Sequence, residues 1–236
     1  MRTYHGEKAI ISLTSWKARI DTVSKTLFSL ITMCPGFHIV LVLSEEEFPN
    51  KEAELPASLM AFVNNNLIEL LWVQQNIKSL KKVIFTMLKY PSVPIISADD
   101  DCIYKYNYAE ELFSHWRKNT DQIVSFYGSP WNDVYVTGGY ATLYPSGLWS
   151  RYEMLIKFIL EHIKFIINYG DDPFYAALNH SIHHNSYHII GKDIKQVCEI
   201  HNETNPLHDL YKGFDKYQIL RTLSQTIQAS RRRLGV

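Results

Sequence analysis

A doubly wound, mostly parallel α/β sheet with helices on both faces is the fold this sequence predicts, and three observations predict it. Short continuous apolar runs such as HIVLVLS, His38 to Ser44, read as strands buried on both faces. Segments striped at helical spacing alternate with them, as in Leu80, Val83, Ile84, Met87 and Leu88. Polar residues gather where the apolar runs end, and sheets of this kind bind ligands beyond the carboxyl ends of their strands, where strand order reverses.

The elements follow in order. AIISLTSW, Ala9 to Trp16, is a short apolar run that opens into a polar loop at Thr14 and Ser15. After Asp21, an expected N-cap, Val23, Leu27, Leu30 and Ile31 recur at helical spacing until Pro35-Gly36 stops them. HIVLVLS is the second strand and LIELLWV, Leu67 to Val73, the third, with a short helical stretch around Pro56 to Asn64 between them. The striped helix from Leu80 closes at Tyr90-Pro91, and PIISADDDCIY, Pro94 to Tyr104, carries the fourth strand straight into three aspartates. Ala109, Leu112, Phe113 and Trp116 stripe a further helix, and IVSFYG gives a strand. WNDVYVTGGYATLYPSGLW has no helical period and is expected to wrap the site as strand and loop. In MLIKFILEHIKFIINY the polar residues Lys157, Glu161, Lys164 and Asn168 form a single stripe, which predicts a helix buried on most sides. Gly170 suits its end, and GDDPFYAAL starts another helix with Pro173 in the first turn. Phe214 to Val236 is amphipathic and finishes on Arg231, Arg232 and Arg233.

At 236 residues and 46% hydrophobic, the chain can bury a sizeable core, and the expectation is a single domain over 1–236. Lysine plus arginine balances the acids at 24 each, so the overall charge does not point to nucleic acid. Cys34, Cys102 and Cys198 lack CxxC spacing, which argues against a disulfide framework and a thiolate zinc site and favours a reducing compartment. The N-terminal apolar run is too short for a signal peptide, and no stretch reads as a membrane span.

Asp99, Asp100 and Asp101 repel one another and favour water or a cation. Two hard oxygen donors of an Asp-x-Asp pair on a strand end suit Mg²⁺ or Mn²⁺, with substrate phosphates completing the shell. An isolated Asp-x-Asp is more often a solvated turn; its place after a buried strand favours the metal.

IISLTSWKARI, SLKKVIFTMLKYPSVPIISADDDCIY, TGGYATLYP and YGDDPFYAAL, in this order and spacing, resemble the GT-A-fold glycosyltransferases, especially short family-2-like enzymes of bacterial lipopolysaccharide and capsule synthesis. The likeness runs from about Ala9 to Gly191. It implies a cytoplasmic enzyme, also able to sit against the inner membrane face, that takes a sugar from a nucleotide-diphosphate sugar with Mn²⁺ or Mg²⁺ held by the aspartates. The sugar passes to a hydroxyl of a glycan or lipid-linked acceptor, inversion being read from the candidate base below and retention being the alternative. It implies a nucleotide-sugar-binding half over 1–106, an acceptor and catalytic half over 107–213, and a basic helix or tail over 214–236. Thr14 and Ser15 match the nucleoside loop. Asp99 and Asp101 match the outer aspartates, which contact donor and metal, with Asp100 between them. Lys78, Lys81 and Lys82 lie where similar enzymes carry a basic donor residue, and Lys81 is taken for that part. Gly138 and Gly139 match a loop near the donor sugar, where a plain turn is the other reading. A late histidine often joins the metal shell, for which His201 is the candidate beside ordinary packing.

Asp171 and Asp172 are the candidate base, since an inverting transfer needs a carboxylate within roughly 3 Å of the attacking hydroxyl. Asp172 is favoured, and an N-cap is the alternative for either. His180, His183, His184 and His188 lack standard zinc spacing and read as a surface or packed cluster. Tyr127, Trp131, Tyr135, Tyr140, Tyr144 and Trp149 serve core packing, with one or two open to an acceptor sugar. The terminal arginines suit either an anionic membrane face or a disordered tail. Two rival functions remain: a nucleotidyltransferase, weakened because SLTSWKARI has no glycine to cradle a triphosphate, and a non-catalytic nucleotide-sugar binder.

Overall fold

The computed structural model describes residues 8–131, 134–149, 152–162, 169–182, 186–201 and 215–236. In chain order these form β1 (Ile10–Thr14), α1 (Val23–Met33), β2 (His38–Ser44), α2 (Ala57–Asn64), β3 (Glu69–Val73), α3 (Lys81–Lys89), β4 (Ile95–Ser97) and β5 (Cys102–Tyr104). There follow α4 (Tyr108–Trp116), β6 (Ile123–Ser125), β7 (Gly128–Trp131), β8 (Val134–Thr137), β9 (Thr142–Tyr144), α5 (Glu153–His162), α6 (Asp171–Ile182), β10 (Tyr187–Ile189), α7 (Ile194–Val197), β11 (Cys198–Ile200) and α8 (Lys216–Leu234).

Seven strands make the central sheet in the order β10-β6-β9-β4-β1-β2-β3. β1 pairs in parallel with β2 and with β4, placing Ile10 opposite both His38 and Ile95. Alternate residues of the central strands feed two cores: Ile11, Leu13, Ile39, Leu41 and Leu43 join α1, α2 and α4 on one face, while Ile10, Val40 and Val42 join α3, α5, α6 and α8 on the other. The continuous apolar runs are thus a requirement of burial on both faces.

Several expectations need correction. β9 does not wrap the site: it runs antiparallel inside the sheet between β4 and β6. At three residues it is too short to show a period, and its Thr142 is buried because the hydroxyl bonds Ser125 Oγ and the Gly138 carbonyl. β7 and β8 form a separate hairpin. Over its described part α5 buries one face, Leu155, Ile156, Ile159 and Leu160, while Met154 is 69% exposed; it packs on α8 from one side. Lys164 and Asn168 lie outside the described residues. Thr22, not Asp21, precedes α1, with no side-chain cap bond. The C-terminal segment is no loose tail: α8 seats Ile219, Leu220, Leu223 and Ile227 in the second core against α5 and α6. Arg231 donates to the Ser181 carbonyl at 2.6 Å. No helix among the described residues is long and apolar enough to cross a membrane.

Candidate active site

Strand order reverses at β1, with β2 and β3 on one side and β4 and β9 on the other. The carboxyl ends of β1 and β4 therefore meet at the switch point, the place where such sheets bind ligands. Thr14 turns its hydroxyl to the Val42 carbonyl at 2.7 Å. Ser15 Oγ donates to Asp100 Oδ2 at 2.6 Å, and Arg19 Nη1 donates to Asp100 Oδ1 at 2.9 Å and Asp101 Oδ2 at 3.0 Å. Thr26, buried on α1, donates to the Asp100 carbonyl at 2.8 Å. A turn from Trp16 to Arg19, closed by a 2.9 Å backbone bond, folds the guanidinium back over the aspartates. Asp100 and Arg19 are both buried, so the middle aspartate is fastened by protein groups.

A second group sits beside the first. Lys82, in the first turn of α3 and 3% exposed, has its amine 2.6 Å from Asp99 Oδ1 and 2.6 Å from Asp171 Oδ2. Ser12 on β1 holds that turn, donating to the Lys82 carbonyl and bonding Thr86 Oγ1 at 2.7 Å. Asp171 and Asp172 open α6, where the helix N-terminus favours negative charge. Gly139 closes the group: a Cβ there would lie 2.7 Å from Lys82 Nζ, 2.9 Å from Asp172 Oδ1 and 3.0 Å from Asp171 Oδ2. Asp172 Oδ1 is buried with no hydrogen-bond partner.

The charges tune one another. Burial alone would raise Asp171, but Lys82 pulls it below the usual carboxylate range. Burial and the adjacent Asp171 charge drive Asp172 well upward. Burial would lower Lys82, yet Asp171 and Asp99 raise it, so it stays an ammonium. Burial and Asp99 push Asp101 up to about 6.

The remaining candidates fall nearby. His201 donates its backbone N–H to the Asp101 carbonyl at 2.8 Å and sets Nε2 3.1 Å from Thr26 Oγ1; its Nδ1 is buried without a partner, and burial lowers its pKa. Lys81 is buried and bonded to Glu47 at 2.9 Å and Asn76 at 2.8 Å, with Asp100 near enough to add its attraction. Lys78 stands in the turn before α3 with φ +52°. A Cβ on Gly138 would strike the Tyr140 ring at 2.6 Å, so each glycine makes room for a neighbouring side chain of the protein. Tyr144 and Trp149 pack on Tyr175 in the core, Tyr140 is buried, and Tyr127 is half exposed. The Trp131 and Tyr135 side chains, like His183 and His184, lie outside the described residues. His188 stacks on His115. Arg19 and the bridging part of Lys82 were not read from the sequence. The available signal was a charged residue flanked by Ala18 and Ile20, an apolar setting in which arginine needs a partner.

Among the described residues no three His, Cys, Asp or Glu side chains converge into a ready metal site. The rim still fits a hard cation. Among the described residues, Asp99, Asp100, Asp101 and Asp171 pair with two cations, Arg19 and Lys82, and Asp172 stands beside them outside those pairs, which leaves a surplus of carboxylate charge and oxygen donors.

No protein family and no curated protein matches the sequence. Among solved structures, the mannosyltransferase PcManGT of Pyrobaculum calidifontis, in complex with GDP-Man and Mn²⁺, matches with a TM-score of 0.58 at 13% identity, over 99% of this chain and 77% of that one. A 4-diphosphocytidyl-2C-methyl-D-erythritol synthase matches with a TM-score of 0.51 at 14% identity, over 87% of this chain and 97% of that one. At these identities the likeness is one of architecture, and that architecture is the GT-A-type sheet with its helices on both faces.

Proposed function

We propose that this protein transfers a sugar from a nucleotide-diphosphate sugar to a hydroxyl of a glycan or lipid-linked acceptor, with inversion, in the building of a bacterial surface polysaccharide. The observation that carries this reading is the meeting of two acidic groups at the switch point, one just past β4 and one at the head of α6, bridged by Lys82 through Asp99 and Asp171. The shared fold with a mannosyltransferase solved with GDP-Man and Mn²⁺ supports it.

In this reading residues 1–106 bind the donor, 107–213 supply the acceptor side, and α8 braces both in the cytoplasm or against the membrane's inner face. Ser15 and Asp100 shape the nucleoside pocket with Thr14, and Gly138 and Gly139 line the donor sugar. Asp99 and Asp101, with His201 beside them, would hold Mn²⁺ or Mg²⁺. When bound, that ion supplies Lewis-acid stabilisation of the departing diphosphate. Asp172 accepts the proton of the acceptor hydroxyl as its oxygen bonds the anomeric carbon; the bond to phosphate breaks and the nucleoside diphosphate leaves with the electron pair. Asp172 is favoured because it stands outside the ion pair with Lys82 that engages Asp171. Asp171, tied to Lys82, stays ionised and is the poorer candidate.

The test is release of nucleoside diphosphate from a panel of nucleotide sugars with Mn²⁺ and saccharide acceptors. Asp172→Asn is expected to lower turnover about 10³-fold with donor binding retained, general-base loss being of that order. Full activity in Asp172→Asn contradicts the assignment. The likeness to the synthase favours nucleotidyl transfer as a second reading. Pyrophosphate release from a nucleoside triphosphate and a sugar phosphate, with no turnover of nucleotide sugars, would establish it.

A further inference from the structure

Among the described residues, Lys82 is the cation that touches both acidic groups, and its surroundings say what kind of contact this is. Lys82 is 3% exposed and its backbone carbonyl is held by Ser12. Its amine donates to Asp99 and forms an ion pair with Asp171, at 2.6 Å each, and Gly139 covers it so closely that a methyl group would not fit. An amine so enclosed has one N–H left over and little surface through which an incoming pyrophosphate could meet it.

We infer that Lys82 is a positioning residue, which fixes the end of β4 against the head of α6 and so sets where the Asp172 carboxylate stands. The inference rests on the transfer reading above. It separates the two adjacent lysines of α3: Lys81 braces the rim through Glu47 and Asn76, and Lys82 sets the spacing between donor side and base. A misplacement of about 1 Å between reacting groups costs on the order of 10²-fold in rate, so this spacing bears on kcat more than on donor affinity.

The experiment compares wild type, Lys82→Arg, Lys82→Met and the double variant Lys82→Met/Asp171→Asn, which removes the carboxylate stranded by the single change. Amide hydrogen exchange is followed at residues 169–176 in the ligand-free protein, and Mn²⁺-dependent turnover is measured with UDP-glucose and GDP-mannose as probes. Lys82→Met is expected to speed exchange at the head of α6 about 10-fold, with β1 unchanged. Its kcat is expected to fall about 10²-fold with donor KM within about 3-fold, and Lys82→Arg to restore most of both. A raised KM with kcat intact would make Lys82 a donor contact and overturn the inference. So would unchanged exchange and turnover, or failure of both Met variants to fold, which marks a purely structural lysine. If wild type turns over neither probe, the exchange result alone decides the positioning and the transfer reading is judged separately.

Discussion

A methyl group at Gly139 would sit 2.7 Å from an amine that two aspartates already hold, so neither it nor its neighbours can move away without breaking an ion pair. Gly139→Ala is expected to cost about 1–3 kcal/mol, the usual price of overpacking, and to lower turnover with it. Urea unfolding and initial rates measure the two effects; a stable, active Gly139→Ala would refute the close fit. At this scale the sequence was half legible. Asp99, Asp100, Asp101, Asp171 and Asp172 announce themselves as unbalanced charge, whereas Arg19 and Lys82 reach them only through long-range folding. Nothing in a run such as SLKK says which lysine faces the sheet's rim; that is settled by Ser12 on β1 gripping the Lys82 carbonyl.

Elements were legible according to length. The seven-residue β2 and the striped helices α1, α3 and α4 repeat their pattern often enough to be read, while β9, β10 and β11 offer three residues each and depend on partners far away in sequence. Two elements carry predictions of their own. At the amino end of the sheet, Glu69 on β3 accepts from Lys89 at 2.6 Å and Tyr90 at 2.7 Å and lies 2.6 Å from His38 Nε2. Burial alone would raise its pKa, but these bonds bring it down to about 2. A carboxylate depressed in the folded state stabilises fully above its ordinary value, and that contribution is lost as pH falls through about 2. Glu69→Gln is therefore expected to cost about 3 kcal/mol at pH 7 in urea unfolding, with the gap to wild type closing towards about pH 2. A gap that does not change with pH would contradict the network's ionic character. On α8, Leu223 is fully buried, so Leu223→Ala is expected to cost about 3 kcal/mol, whereas exposed Arg232→Ala changes stability by less than about 0.5 kcal/mol. Equal effects of the two would mean that the helix is not docked.

For the whole molecule, one sheet separates two cores and gathers its charged residues at both rims, with different results. The Glu69 rim is balanced by bonded partners and holds the fold together. Among the described residues the opposite rim keeps more carboxylates than cations, which costs stability and is retained at the switch point where a ligand is expected. The alternation of strands and helices made this architecture readable from the sequence, and the solved structures share it. The direct test is thermal unfolding with Mn²⁺ and each nucleotide sugar in turn. Ligand at about 100 times its Kd adds about 2.7 kcal/mol, or about 5–10 °C in Tm for a chain of this size. The account predicts such a rise with one class of donor in wild type and loss of its Mn²⁺-dependent part in Asp101→Asn; equal responses in both proteins, or none in wild type, would contradict it.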